Sequence, residues 1–133
     1  MITAVAHVCF RVKDLDASLR FYRDGLGLKP AFDFTDDQGR RFGAYLFVGG
    51  RNFIELFATD TVTPAPSQSY QHFCLEVDDI EQTVREFHSR GIEVTDVKMG
   101  TDHSWQAWLS DPDGNRIELH QYTPESRQAP SLR

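Results

Sequence analysis

Residues 4–12, AVAHVCFRV, are rich in Val, Phe and Ala and predict a strand. Alternation places His7, Cys9 and Arg11 on one of its faces and Val8, Phe10 and Val12 on the other. In the following KDLDASLRFYRDGLGL, Leu15, Leu19 and Tyr22 recur at helical spacing. Asp14 or Asp16 caps that helix, and Gly25 and Gly27 stop it. Three more strands are predicted at about 31–36, 42–49 and 52–58, separated by the turn sequences DDQG (36–39) and GGRN (49–52). The stretch TDTVTPAPSQS, residues 59–69, is polar, aperiodic and holds two prolines, so it reads as a linker.

The same order then returns. Residues 71–77 predict a strand, and 79–90 a helix capped by Asp78 or Asp79 and closed at Gly91. Strands follow at about 92–98, 104–110 and 115–122, with DPDGN turning between the last two. The pattern is two β-α-β-β-β modules, residues 1–58 and 70–123, joined by the linker 59–69 and followed by a tail over 124–133. An internal match supports duplication. At an offset of 65, His7/His72, Cys9/Cys74, Val12/Val77, Asp14/Asp79 and Arg20/Arg85 coincide; at 63, IEL at 54–56 meets IEL at 117–119. Agreement at both ends of each module, in the same element order, is what a duplicated unit leaves behind.

A chain of 133 residues, 40% of them hydrophobic, is long enough for one real core or two small modules. A net charge of -6 argues against a general nucleic-acid or anionic-membrane binder. No signal-peptide pattern opens the chain, and no apolar run approaches the roughly 18 residues that cross a bilayer. Two cysteines cannot build a disulfide scaffold; both fall in strand patterns and read as free buried thiols in a reducing cytoplasm.

Four residues with ligand chemistry occupy equivalent strands. The first strand of each module carries His7 or His72, and the last carries Glu55 or Glu118. Each glutamate lies between Ile and Leu that point the opposite way, and a carboxylate in so apolar a strand needs something positive to accept it. Arg11 or Arg116 would serve for a single glutamate, and a single histidine could simply pack. Two imidazoles and two carboxylates at repeat-equivalent positions instead suit Zn²⁺, Ni²⁺, Co²⁺, Mn²⁺ or Fe²⁺. Of the remaining candidates, Trp105 and Trp108 fall on opposite faces of one strand, so at most one looks inward. Either a pocket wall or a core or dimer contact fits that pattern. His120 shares the face of Glu118, as a partner to it or facing solvent, and His88 reads as solvated.

The repeated module, the histidine opening each copy, HFCLEVDD and DPDGNRIEL together resemble the vicinal oxygen chelate superfamily over residues 3 to about 123. That superfamily includes glyoxalase I, methylmalonyl-CoA epimerase, extradiol dioxygenases, fosfomycin-resistance enzymes and bleomycin-binding proteins. The resemblance implies an α+β fold in which two βαβββ modules form an incomplete β-barrel around a metal site. By position it implies His7, Glu55, His72 and Glu118 as ligands of one divalent metal per site, Ni, Zn or Co first, with Fe or Mn as alternatives. The His/Glu/His/Glu set looks most like bacterial glyoxalase I, a lyase that isomerises the glutathione hemithioacetal of methylglyoxal. Such chemistry moves a proton between adjacent carbons through an enediolate, with Glu55 and Glu118 as the exchanging acid and base.

The same resemblance implies a homodimer, a thiol-adduct substrate, and Arg11 as a contact for a glutathione carboxylate. From the residues alone, Arg11 is equally a surface arginine or a partner of Glu76. His103 and Trp105 are the further candidate substrate contacts. The Asn that similar glyoxalases carry four residues after the first glutamate is replaced here by Thr59. The Lys expected before the last hairpin has no counterpart; Lys98 is displaced and His103 stands in the loop. Two other expectations compete with the lyase: an extradiol-type dioxygenase or related enzyme, and a non-enzymatic binder of antibiotics or small ligands.

Overall fold

A computed structural model describes residues 1, 3–62 and 69–132. The chain divides into two compact units, residues 1–63 and 64–133. The first contains β1 (His7–Val12), α1 (Leu15–Leu19) running into a π-helical turn (Arg20–Gly25), β2 (Lys29–Thr35), β3 (Arg41–Gly49) and β4 (Asn52–Ala58). The second contains β5 (His72–Glu76), α2 (Ile80–Ser89), β6 (Lys98–Met99), β7 (Trp105–Ser110), β8 (Arg116–Gln121) and a short 3₁₀ turn (Ala129–Ser131). Their sheets have the same order, β1-β4-β3-β2 and β5-β8-β7-β6. In each, the first strand runs parallel to the last, and every other pairing is antiparallel. The α+β class and the doubled βαβββ module are therefore as expected, and neither sheet closes on itself.

Each sheet buries one face under its helix. In the first unit Phe10, Val12, Ala44, Leu46, Ile54 and Leu56 alternate inward and meet Leu15, Leu19 and Tyr22. In the second, Ala107, Leu109, Ile117 and Leu119 meet Ile80, Val84 and Phe87, the i, i+4, i+7 stripe of α2. Burying each large aliphatic side chain contributes roughly 1.5–3 kcal/mol, so these faces fix the register of every strand. The opposite faces carry the polar residues singled out by sequence.

Caps and turns follow the predicted chemistry closely. Asp14 Oδ1 accepts from Ala17 N and Asp79 Oδ1 from Gln82 N, each at 2.9 Å, which selects one aspartate at each helix start. Helix α2 ends with Ile92 N donating to Phe87 O and Gly91 N to His88 O, both 3.0 Å, around Gly91 at φ 77°. In DPDGN, Asp111 Oδ1 accepts from Asp113 N and Asn115 N, and its Oδ2 from Asn115 Nδ2. That aspartate holds the β7–β8 hairpin in register.

Four expectations are corrected. The strand placed over 4–12 starts at His7, because β4 begins at Asn52 and offers nothing to pair with residues 4–5. The strand placed over 92–98 shrinks to Lys98–Met99. Thr95 still reaches β7, but Trp108 N donates to its side-chain Oγ1 rather than to a main-chain carbonyl, so no regular ladder forms there. The cysteines are free yet exposed, since they share the face of the histidines rather than the face under the helices. His88 is not merely solvated: its Nε2 hydrogen-bonds Val94 O at 3.0 Å. The linker placed over 59–69 falls largely at 63–68, outside the described residues.

Candidate metal centre

Parallel pairing of the outer strands brings each histidine diagonally beside a glutamate. In the first unit Cys9 lies opposite Glu55 and His7 opposite Phe53, so His7, Cys9 and Glu55 share one face. His7 Nε2 is 3.4 Å from Glu55 Oε2. Tyr45, opposite Glu55 on β3, meets the His7 ring edge-on at 5.7 Å. Phe32 stacks on Tyr45 at 4.8 Å, and Phe34, Phe42 and Phe57 continue this aromatic surface. Gly43 lets the Phe57 ring lie across β3, where an added Cβ would come within 2.6 Å of that ring.

The second unit repeats the arrangement. Cys74 lies opposite Glu118, and His72 Nε2 is 3.1 Å from Glu118 Oε2. Trp108, opposite Glu118 on β7, takes the place of Tyr45; its ring meets His72 edge-on at 4.8 Å, and the Arg116 guanidinium lies 4.5 Å above it. Gln71 Oε1 sits 3.1 Å from His72 Nδ1 and can hold a proton there, leaving Nε2 as the coordinating nitrogen. Two ligand atoms each about 2.1 Å from one ion are separated by roughly 3–3.5 Å at tetrahedral or octahedral angles. The two His–Glu separations match that spacing, and a nitrogen–oxygen donor set suits a divalent ion of the zinc or nickel kind.

Behind Glu118 the second unit adds a layer that the first lacks. His120 is buried, and its Nδ1 lies 3.1 Å from Glu118 Oε1. With the imidazole proton on Nδ1, this contact is a hydrogen bond donated to the carboxylate. The far nitrogen, Nε2, is buried without a hydrogen bond and faces Asp102 Oδ2 at 3.8 Å. Asp102 is itself clamped: Gln128 Nε2 donates to Oδ2 at 2.7 Å and Ser104 N to Oδ1 at 3.2 Å. The Gln128 bond, then the Ser104 main chain, hold its carboxyl below the ordinary aspartate value despite partial desolvation.

Thr123, at the end of the second module, and residues of the segment read from sequence as a tail supply this clamp. Arg127 N donates to Asp102 O, Ser126 Oγ pairs with Ser104 Oγ at 2.7 Å, and Thr123 Oγ1 donates to His103 O. Among the described residues, one three-donor group with ligand atoms within 4.8 Å comprises Cys74, Glu118 and His120. Desolvation, then the charge of Glu118, push the Cys74 thiol up to about 12, so it is protonated near neutral pH. Cys9 is also raised, by desolvation and then by its hydrogen bond to Glu55.

The other sequence candidates are placed less tightly. Arg11 lies on the His7 face opposite Phe57, is exposed, and among the described residues forms no ion pair. His103 is exposed at φ 64°, and its carbonyl rather than its ring is engaged. Trp105 falls on the face of β7 that carries Ala107 and Leu109, away from His72; the tryptophan against that histidine is Trp108. Tyr45, Trp108 and the contrast of Phe57 with His120 were legible in principle. The 63-residue offset that aligns the two IEL segments also aligns Tyr45 with Trp108 and Phe57 with His120. Asp102 had no such signal, because the tail that fixes it has no counterpart in the first module.

The family model described as the Glyoxalase/Bleomycin resistance protein/Dioxygenase superfamily matches residues 4–119. The chain belongs to this superfamily. Among its relatives is a metallothiol transferase FosB from Staphylococcus epidermidis, 30% identical, with 95% of this chain and 87% of that protein covered. A probable lactoylglutathione lyase from Vibrio cholerae is 32% identical, with 88% of this chain and 89% of that protein covered. Among solved structures, TnmS3, an antibiotic binding protein from Streptomyces sp. CB03234, aligns with a TM-score of 0.72 at 27% identity over 92% of this chain and 98% of that one. The glyoxalase-superfamily chain thus has relatives named as enzymes of two kinds and a structural neighbour named as a binder. Among its described residues no helix is long and apolar enough to cross a membrane.

Proposed function

We propose that this protein is a metal-dependent enzyme of glyoxalase I type. It would move a proton between adjacent carbons of an α-oxo or hemithioacetal substrate, such as a glutathione or other thiol adduct. The observation that carries the reading is the pair of His–Glu contacts at 3.4 and 3.1 Å on repeat-equivalent strands. His7, Glu55, His72 and Glu118 would hold one divalent ion per site, Ni²⁺, Zn²⁺ or Co²⁺, within one chain or across a homodimer in the cytoplasm. When bound, the ion would polarise the substrate oxygens and stabilise the negative charge that develops as the C–H bond breaks. The two glutamates take the proton from one carbon and return it to the next, a contribution typically worth ~10²–10⁴ in rate. Tyr45 and Trp108 wall the two pairs, and Arg11 supplies positive charge for an anionic substrate group.

Elemental analysis of protein purified without added metal, with a lyase assay on the methylglyoxal–glutathione hemithioacetal, tests this directly. Near-stoichiometric Ni, Co or Zn is expected, with turnover abolished in Glu118→Gln and metal lost in His7→Ala. Full turnover by Glu118→Gln with metal still bound would sink the mechanism, and unchanged metal in His7→Ala the ligand set. A second reading, metal-dependent transfer of a thiol to a small molecule, is favoured by similarity to the metallothiol transferase over 95% of this chain. Metal binding without lyase activity, together with thiol consumption on an electrophilic substrate, would select it.

A further inference from the structure

The histidine that opens each module has different neighbours across its sheet. In the first unit His7 lies opposite Phe53 on β4, and Phe53 opposite Phe47 on β3. The two phenyl rings meet at 5.5 Å, and Tyr45 touches both His7 and Phe53, at 5.7 and 5.2 Å. In the second unit the same row reads His72, Arg116 and Ser110. Trp108 takes the part of Tyr45: its ring meets His72 at 4.8 Å, and the Arg116 guanidinium lies 4.5 Å over that ring. A cation and a hydroxyl replace two phenyl rings. Arg116 and Ser110 are exposed, and among the described residues Arg116 forms no ion pair.

A guanidinium stacked on an indole uses its face on the ring and keeps its N–H edge free. That edge presents paired donors in the fork that a carboxylate accepts, and the stacking already restrains the long side chain. Ser110 adds a hydroxyl on the same face, one strand over. We propose that Arg116, held on Trp108 and assisted by Ser110, is a specificity-determining residue that binds a carboxylate of the substrate beside His72. The inference rests on the functional reading above and narrows its substrate to an α-oxo compound or thiol adduct with a carboxylate close to the reacting carbons. Arg116 and His72 are cross-strand neighbours that touch one indole ring, so an oxyanion on the guanidinium lies near the imidazole. Arg11 belongs to the other unit and is not part of this row. The row of His7, Phe53 and Phe47 offers an anion no such donors.

The probes are pyruvate, an α-oxo carboxylate, and methyl pyruvate, its uncharged ester. In metal-free protein, pyruvate should shift the Trp108 indole N–H resonance and leave that of Trp105, on the other face of β7, in place. The wild type should hold pyruvate roughly 10–100-fold more tightly than Arg116→Gln, the range a hydrogen bond to a charged group provides. Arg116→Lys keeps the charge without the fork and should fall between them. Arg116→Phe, which copies the first unit, should match Arg116→Gln. In the metal-loaded enzyme, pyruvate should compete with the methylglyoxal–glutathione hemithioacetal, and Arg116→Gln should weaken that inhibition. Equal affinity of wild type and Arg116→Gln for pyruvate, methyl pyruvate bound as tightly as pyruvate, or a Trp108 resonance that pyruvate leaves unmoved would each overturn the inference. Protein that holds no metal and turns over no hemithioacetal would overturn the functional reading, while the metal-free titration still decides whether Arg116 binds a carboxylate.

Discussion

The two units share a plan and differ in what surrounds the plan. Both have a parallel outer pair of strands, a helix over one face, and His, Cys and Glu on the other. The first surrounds its His–Glu pair with Phe32, Phe34, Phe57 and Tyr45; the second uses Trp108, Arg116, His120 and Asp102. Topology and the His–Glu pairing are what the two units share. The neighbours diverged, and with them the polarity and grip around each carboxylate. The comparison predicts equality where the units must fold and inequality where they must act.

The largest effect belongs to the shared part. Leu56 and Leu119 are equivalent, at 0% and 1% exposure, each following the glutamate of its His–Glu pair and facing its helix. Leu56→Ala and Leu119→Ala should each destabilise by about 2–5 kcal/mol, read by urea unfolding. A loss below about 1 kcal/mol in one of them would break the equivalence of the two cores.

The strongest patterns in the sequence came through because they rest on local physics. Leu15, Leu19 and Tyr22, or Ile80, Val84 and Phe87, announce a buried helix stripe whatever the rest of the chain does. The glutamates in IEL announced themselves by being charged between apolar neighbours. What stayed hidden depends on contacts far apart in sequence. The region 92–97 has strand-forming residues, but Thr95 answers Trp108 with a hydroxyl, which only the register of β7 decides. Cys9 and Cys74 looked buried by type and are exposed by face. His120 was read as either a partner of Glu118 or a solvent residue, and the choice depended on Asp102, held by Gln128 from 26 positions away.

The next effect probes the layer that only the second unit has. Bonds to Gln128 and Ser104 hold the Asp102 carboxyl below the ordinary value of 3.8. A carboxylate whose folded pKa is depressed contributes stability that is fully present above about pH 4 and lost as pH falls through the folded value. Asp102→Asn should therefore be less stable than wild type near neutral pH, by about 1–3 kcal/mol. The gap should narrow as the pH is lowered below 4, which a series of thermal melts from pH 7 to pH 2.5 would show. A constant gap across that range would mean that the carboxylate charge contributes nothing.

Smaller still are the helix starts, where the units are again alike. Asp14→Ala and Asp79→Ala each remove one side-chain bond of 2.9 Å to the first turn and should cost about 1 kcal/mol in denaturant midpoints. A much smaller loss at Asp14 would show that the π-helical turn, rather than the cap, sets where α1 sits.

The thiols test the two faces without perturbing the fold. The thiolate is the nucleophile, so a raised pKa slows alkylation at any pH below it. Cys74, pushed up to about 12, has roughly one thiolate in ten thousand molecules at pH 8. Cys9 is raised as well, but the Arg11 charge opposes the shift, and among the described residues Glu55 is the acid that raises it. Iodoacetamide followed by peptide mass mapping should therefore label Cys9 faster than Cys74 in metal-free protein, and both more slowly than in the unfolded chain. Desolvation is the larger cause at both sites, so Glu118→Gln should quicken Cys74 only modestly, and Glu55→Gln likewise Cys9. Equal rates at the two thiols would mean that the added acids behind Glu118 do not reach Cys74, and that the second unit's extra layer acts through contact with Glu118 alone.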